Sequence, residues 1–301
     1  MLPWLLAIIF AYLFFSLSSF GDKVILSQKI KPKLYTFYIG ISSILVVLAL
    51  PFIGFALPPA GAWVWVILEA FAFMLAIYSM FSALEKFDVS RVMPAIGGLQ
   101  PIFILLMTVS FWGAKALAGM DLLAFLLLLS GSIIISFEKR LAITRHYLML
   151  VVFSALMFSA DYLFSKMVFG AMPFLRGLVW MNLARFCIAA PFLLGGQFRR
   201  QVFTKQPSIN PKTGAMFFFT QGAGAIGYFL QGLAISLAPV SQLALVNSLR
   251  GLQYVFLFLI TLGTSFFIPG LLKENISKKT LLQKGVSLGL IALGLAVLAL
   301  Y

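Results

Sequence analysis

The chain carries little charge for its length. Of 301 residues only 10% are charged, just eight of those are acidic, and there is one histidine and one cysteine. The lone Cys187, set in an apolar run, permits no intrachain disulfide framework. The lone His146 excludes a histidine-rich metal site. The sequence also lacks an HExxH pair, an aspartate-rich cation motif, a Walker loop and a catalytic partner for His146. An integral-membrane enzyme therefore has no support, no cofactor is expected, and without a soluble nucleotide-binding domain an ATP-driven pump is excluded.

What fills the chain is apolar. Hydrophobic residues make up 62% and aromatics 15%, with a mean hydropathy of +1.07. Soluble chains average about 45–50% apolar and about 25% charged. A single water-soluble domain of this size could not hide the excess, so the composition predicts a polytopic membrane protein. A spanning helix needs about 20 apolar residues, whereas a transmembrane β-barrel would show alternating segments of about ten. Leu122–Ile135 and Gly285–Tyr301 are continuously apolar, so the expected fold class is all-α. Punctuation by charge, proline and glycine divides the chain into ten expected spans: 3–21, 34–53, 62–84, 91–112, 117–137, 147–169, 175–195, 213–237, 240–268 and 281–301. The first lacks the basic leader and small-residue cleavage site of a signal peptide and is read as a span.

The net charge of +14 would suggest nucleic acid in a soluble protein. Here the basic residues sit in alternate connections, the pattern of orientation signals and anionic headgroup contacts, so no nucleic-acid partner is expected. They are Lys23, Lys29, Lys31 and Lys33; Lys86; Lys139, Arg140 and Arg145; Arg199, Arg200, Lys205 and Lys212; and Lys273, Lys278 and Lys279. The stretch 54–62 and the turn near Ala238 carry none. The positive-inside rule then places the five basic connections in the cytoplasm and both termini outside, in a cytoplasmic (inner) membrane.

The chain also contains itself twice. Ala83-Leu84-Glu85-Lys86-Phe87-Asp88-Val89-Ser90 is echoed by Ala234-Ile235-Ser236-Leu237-Ala238-Pro239-Val240-Ser241. Gly98-Leu99-Gln100-Pro101-Ile102-Phe103 is echoed by Gly251-Leu252-Gln253-Tyr254-Val255-Phe256, and Leu50-Pro51-Phe52 by Ala190-Pro191-Phe192. Ser16 and Lys23 match Ser159 and Lys166 at one common offset. Four collinear matches divide the chain into five-helix repeats over 1–140 and 141–301. Five is odd, so the second repeat must enter the membrane inverted. Inverted repeats are a transporter architecture, with the site near the midplane between repeats.

At these residues the chain resembles the EamA-type members of the drug/metabolite transporter superfamily, over essentially its whole length. The resemblance is carried by Leu272-Lys273-Glu274-Asn275-Ile276-Ser277 followed by Gly285, Gly289 and Gly294, and by Pro94 and Pro101 around Ala95-Ile96-Gly97-Gly98. Gly131 and Arg185-Phe186 ahead of Ile188-Ala189-Ala190 add to it. Lys115 stands near the place of the family's first glutamate, and Tyr254 where the first half has Pro101. The resemblance implies ten helices in two five-helix repeats. It leaves the substrate open among amino acids, nucleotide sugars, sugar phosphates and lipophilic cations.

Ionisable side chains inside a bilayer cost about 2.5–3.5 kcal/mol on insertion scales, so the few present are the candidate site. Asp161 and Glu69 read either as ion-coupling or gating carboxylates or as structural partners, Asp161 with Arg185 or Lys166. Arg185 belongs to the same coupling or gating set. Asn247, Arg250 and Tyr254 recur at three- and four-residue spacing on one face. Arg250 there suits a carboxylate or phosphate, or alternatively a bridge to Asp161 or Glu69. Gln100 and Gln253 are repeat-related, and Tyr78 and Tyr228 occupy similar places in spans three and eight. All four read as substrate-binding or as helix glue. Pro94, Gly97, Gly98 and Pro101 predict a kinked or interrupted fourth span. The glycines of spans five and ten read as close-contact positions. The expected partners are a small-molecule substrate, the lipid bilayer and a coupled H+ or other ion, and no feature specifies an oligomeric state. The function implied is secondary transport of a small organic solute by alternating access, with a lipid or polyprenyl-carrier flippase as the alternative.

Overall fold

A computed structural model describes residues 3–25, 32–87, 89–113, 119–136, 144–203, 211–267 and 278–300. Among them there is no strand. The helices in chain order are α1 (Pro3–Ile25), α2 (Pro32–Ser42), α3 (Leu50–Ile53), α4 (Ala62–Leu84), α5 (Val89–Trp112), α6 (Met120–Ser136), α7 (Arg145–Ala171), α8 (Phe174–Ala189), α9 (Gly196–Phe203), α10 (Pro211–Leu237), α11 (Leu243–Ser248), α12 (Gly251–Phe267) and α13 (Lys278–Leu300). Short 3-10 turns at Ser43–Ala49, Ala190–Leu194 and Val240–Gln242 lie beside α2, α8 and α11. Lys29, Lys31, Lys115, Lys139, Arg140, Lys205, Lys273 and Glu274, which the sequence reading uses, lie outside the described residues.

The chain is a helical membrane protein. Among the described residues, seven stretches are long and apolar enough to cross a bilayer: Pro3–Gly21, Thr36–Ile53, Ala62–Leu84, Ala95–Trp112, Arg145–Ala171, Phe174–Leu194 and Val240–Thr261. Met120–Ile134 and Leu282–Leu298 are shorter apolar helices. The 27-residue α10 is not among the seven; Thr220, Gln221, Gly222, Gly224, Gly227 and Gln231 dilute it. Large apolar side chains stand outward, among them Phe52, Leu194 and Phe218. A water-facing surface would not tolerate so many.

The helices gather into two compact units, each drawn from separate parts of the chain. One comprises residues 29–107 and 142–208, and the other 1–28, 108–141 and 209–301. In the first, α4 lies along α7. Small residues on α4 (Ala62, Ala70, Ala76 and Ala83) are buried, and Ser154 Oγ donates across to the Ala76 carbonyl at 3.0 Å. Val92 and Ile96 of α5 join Ala83, Tyr147, Val151 and Ala155 in one core cluster. Phe37, Met74 and Ala189 tie α2, α4 and α8 together. Thr144 caps α7 by accepting the Tyr147 N–H at 3.2 Å, as a good N-cap residue does.

In the second unit α1 lies along α10 and α12, and α6 along α13. Trp4, Ile8, Ala11 and Tyr12 form the buried face of α1 at the spacing of one helical stripe. Gly131 and Gly294 are the close-contact positions expected of spans five and ten. A Cβ on Gly131 would lie 2.7 Å from Ile291, and one on Gly294 2.7 Å from Leu128. A Cβ on Gly285 or Gly289 would meet nothing within 4 Å.

The fourth span, expected to be kinked or interrupted, is one continuous helix: α5 runs through Pro94, Gly97, Gly98 and Pro101. A proline removes one backbone donor and crowds the carbonyl four residues earlier. The break falls in the ninth span instead, between α11 and α12 at Leu249–Arg250. There the backbone tightens to three-residue hydrogen bonds: Arg250 N to Asn247 O, Leu252 N to Leu249 O and Gln253 N to Arg250 O, at 2.9–3.0 Å. The carbonyls of Val246 and Ser248 lose their helical donors in consequence. Side chains of neighbouring helices replace them, as burial in an apolar medium requires. Ser132 Oγ donates to Ser248 O at 2.9 Å, and the Tyr12 hydroxyl lies 3.5 Å from Val246 O and 3.4 Å from Asn247 O.

Candidate functional site

In the unit containing α4, α7 and α8, three of the predicted residues come together. The inward stripe of α8 reads Gly177, Met181, Arg185 and Ala189, all buried and four residues apart, so Arg185 must point where its apolar neighbours point. Glu69 stands on the buried stripe of α4 with Val66 and Ala70. Arg185 Nη2 is ion-paired with Glu69 Oε1 and reaches Asp161 Oδ1 of α7 at 3.3 Å. Its Cζ lies 3.4 Å from the ring centroid of Phe73, one helical turn beyond Glu69. The guanidinium is thus held by a charge on one side and an aromatic face on the other.

Burial separates the two acids. Glu69 and Arg185 are 0% and 2% exposed, whereas Asp161 keeps 14%. Glu69 Oε2 is buried with no hydrogen-bond partner among the described residues, and its carboxyl lies within hydrogen-bonding reach of that of Asp161. Two carboxylates and one guanidinium leave the cluster, when all are ionised, with a single unbalanced negative charge. In an apolar bundle that imbalance is costly.

The other unit holds the predicted Arg250 group. The three-residue turns at the helix break bring Asn247, Arg250 and Gln253 onto one edge, because residues three apart eclipse in such a turn. Asn247 is fully buried, and neither its Nδ2 nor its Oδ1 has a hydrogen-bond partner among the described residues. Gln253 Nε2 donates to Ser19 Oγ of α1 at 3.1 Å. The Tyr12 hydroxyl lies near the Gln231 side chain of α10 and within electrostatic reach of Arg250 and Tyr254. A buried amide, a guanidinium, a phenol and a second amide therefore collect at one broken helix.

The remaining predicted residues are placed as follows. Gln100 is buried on α5, and its backbone carbonyl accepts from Ser159 Oγ at 3.0 Å. Tyr78 is 39% exposed on α4, away from that helix's inward stripe. Tyr228 is half-buried on α10. Arg250 belongs to one unit, and Asp161 and Glu69 to the other. Lys86 Nζ lies 3.1 Å from His146 Nε2, outside both groups.

Phe73 and Tyr12 were not singled out from the sequence. Phe73 could have been, from its place four residues after Glu69. Tyr12 could have been too, since Tyr12, Ser16 and Ser19 form a polar line at three- and four-residue spacing on an otherwise apolar helix.

No protein-family model matches the chain, and no curated protein does. Its fold is similar to that of a solved structure described only as "Crystal structure of protein", with a TM-score of 0.67 and 18% identity, covering 98% of this chain and 96% of the other. At that identity the likeness concerns the fold alone.

Proposed function

We propose that this chain is a secondary transporter for a small organic solute, of the EamA type within the drug/metabolite transporter superfamily, working by alternating access. The observation that carries the reading is the Asn247 amide. It is fully buried beside Arg250 at a helix break inside an apolar span, with neither polar atom bonded among the described residues. Buried polar groups are ordinarily satisfied, and an exception in a native fold needs a reason. A solute that supplies the missing partners is such a reason. Helices broken within the membrane, with freed backbone groups, are typical of transporter binding sites.

The helix pairings support the ten-span, repeated architecture. If α7, α4 and α5 are the counterparts of α1, α10 and the α11–α12 pair, each unit repeats one pattern. In it the opening helix packs on the third and bonds to the fourth. The repeat-related glutamines take part in both copies. Gln100 offers its carbonyl to Ser159, and Gln253 its side-chain amide to Ser19.

Arg250, Asn247 and Gln253 then favour an anionic or zwitterionic solute, bound by the guanidinium fork and oriented by amides. The test is a thermal-shift screen of the purified protein in detergent, across amino acids, sugar phosphates, nucleotide sugars and lipophilic cations. A ligand at 100 times its Kd stabilises by about 2.7 kcal/mol if it binds only the folded state. Stabilisation by an anionic or zwitterionic solute, lost in Arg250→Ala, is the expected result; stabilisation by cations alone would refute the Arg250 assignment. A second reading, flippase activity, draws on an apolar cleft of about 330 Å³ between α4 and α8, lined by Trp63, Ile67, Trp180, Leu183, Ala184, Cys187 and Ile188. It predicts that lipid extracts stabilise while the soluble panel does not.

A further inference from the structure

Resting on the transporter reading, we propose that the Glu69–Arg185–Asp161 cluster holds one exchangeable proton, taken up at Asp161, and that this proton couples solute movement to the proton gradient. The two acids are not equivalent. Glu69 is wholly buried and directly ion-paired with Arg185, which also stacks on Phe73. That pair is electrically complete and locked by packing on both sides. Asp161 is the surplus charge: its contact to the same guanidinium nitrogen is longer, at 3.3 Å, and it is the most exposed of the three.

The orphaned oxygen says what the cluster accepts. Glu69 Oε2 is buried without a partner among the described residues, and the Asp161 carboxyl lies within hydrogen-bonding reach of Glu69. Two carboxylate oxygens form a hydrogen bond only with a proton between them. Protonated Asp161 would donate to the Glu69 carboxylate, so that one proton removes the unbalanced charge and gives the two acids a hydrogen bond. Hard metal cations require roughly six or more oxygen ligands, and here the guanidinium and the phenyl ring occupy the space such ligands would need.

The charged groups facing Asp161 are Glu69 from α4 and Arg185 from α8. On its own helix Lys166 follows five residues on, half-buried. The α5 residue at this level, Gln100, is uncharged. Proton release leaves Asp161 as a carboxylate whose nearest countercharge is already committed to Glu69, so the ionised state favours whatever rearrangement brings Asp161 to water or to a cationic group. Uptake reverses it, and one proton moves for each cycle.

The decisive measurement is infrared spectroscopy of the full chain in lipid nanodiscs during a pH titration, read at the carboxylic-acid C=O stretch. In the difference between wild type and Asp161→Asn, which cancels the bands of the other seven acidic side chains, one titrating band is expected, and it is present again in Asp161→Glu. Asp161→Asn keeps an oxygen for Arg185 and leaves the Glu69 pair intact, so the variant should fold, which circular dichroism and size exclusion check. A difference spectrum with no titrating band overturns the proton site.

Coupling is then read in proteoliposomes loaded with pyranine, using a solute identified by the thermal screen. The ratio of uptake with a pH gradient to uptake without it should exceed one in the wild type and in Asp161→Glu, and fall to one in Asp161→Asn. A ratio still above one in Asp161→Asn refutes coupling through this residue while leaving the transporter reading in place. If no solute of the panel binds or moves, the transporter reading fails and coupling with it, while the infrared arm still decides the proton site.

Discussion

Replacing Arg185 by alanine would leave Glu69 and Asp161 facing each other among apolar helices with no countercharge. Breaking a buried pair from one side costs about 3–5 kcal/mol, so Arg185→Ala should lower the Tm in detergent far more than truncation of an exposed side chain. Arg185→Lys should recover only part of that loss. A lysine keeps the charge but cannot fork toward two acids or stack flat on Phe73. Full recovery of the Tm by lysine would show that charge alone holds the three helices. Each member of the cluster was legible in the sequence as an ionisable residue in an apolar span, and the pairing of Asp161 with Arg185 was one of the alternatives the sequence left open. That one guanidinium serves both acids was not legible. The three residues lie on three helices whose rotation about their axes is set by packing, as the Gly177–Met181–Arg185–Ala189 stripe illustrates. Arg250 shows the opposite outcome. Its line with Asn247 could be read at helical spacing, yet the line exists because of a break the spacing did not reveal.

Among the elements, the ninth span is the one whose form depends on its neighbours. Ser132 of α6 and Tyr12 of α1 supply the donors that the break at Leu249–Arg250 withdraws from its own carbonyls. Leaving a buried carbonyl unsatisfied costs about 1–3 kcal/mol. Ser132→Ala should therefore lower the Tm by several degrees, while Ser82→Ala, exposed and bonded only within its own helix turn, should leave it unchanged. Equal effects would mean the break is stable by itself. The α6–α13 contact gives a second test. Gly131→Leu would drive a side chain into Ile291 and the Ser287 carbonyl, an overpacking that costs about 1–3 kcal/mol or more. Gly285→Leu, with open space around it, should be tolerated in the same melting assay. Most helix ends followed the sequence closely, because charge, Pro–Gly punctuation and the length of an apolar run fix them. Span three begins and ends at Ala62 and Leu84, as read. The ninth span holds a break the sequence does not announce, while the fourth is a continuous helix although Pro94, Gly97, Gly98 and Pro101 together predict a kink or an interruption. A proline interrupts a helix only where no neighbour compensates, and a helix without an internal proline can break where neighbours offer donors.

For the molecule as a whole, the apolar exterior makes a prediction about Cys187. This residue is exposed on α8 in the cleft beside Trp63 and Trp180, within a stretch able to cross the bilayer. In intact membranes a permeant, uncharged maleimide should label it and a sulfonated one should not, until detergent is added. Labelling by the sulfonated reagent in sealed membranes would place this face of α8 in water. The sequence by itself determined that the chain is helical, that it lives in a membrane and where most of its helices begin and end, because these follow from local composition and from the cost of burying unpaired backbone in lipid. Only the tertiary structure decided how the helices divide. The two compact units interleave the chain, so α1 packs with α10 and α12, and α4 with α7. Contacts between helices far apart along the chain leave no local trace in composition or periodicity. For that reason the sequence could name Glu69, Asp161 and Arg185, and only packing could make them a site.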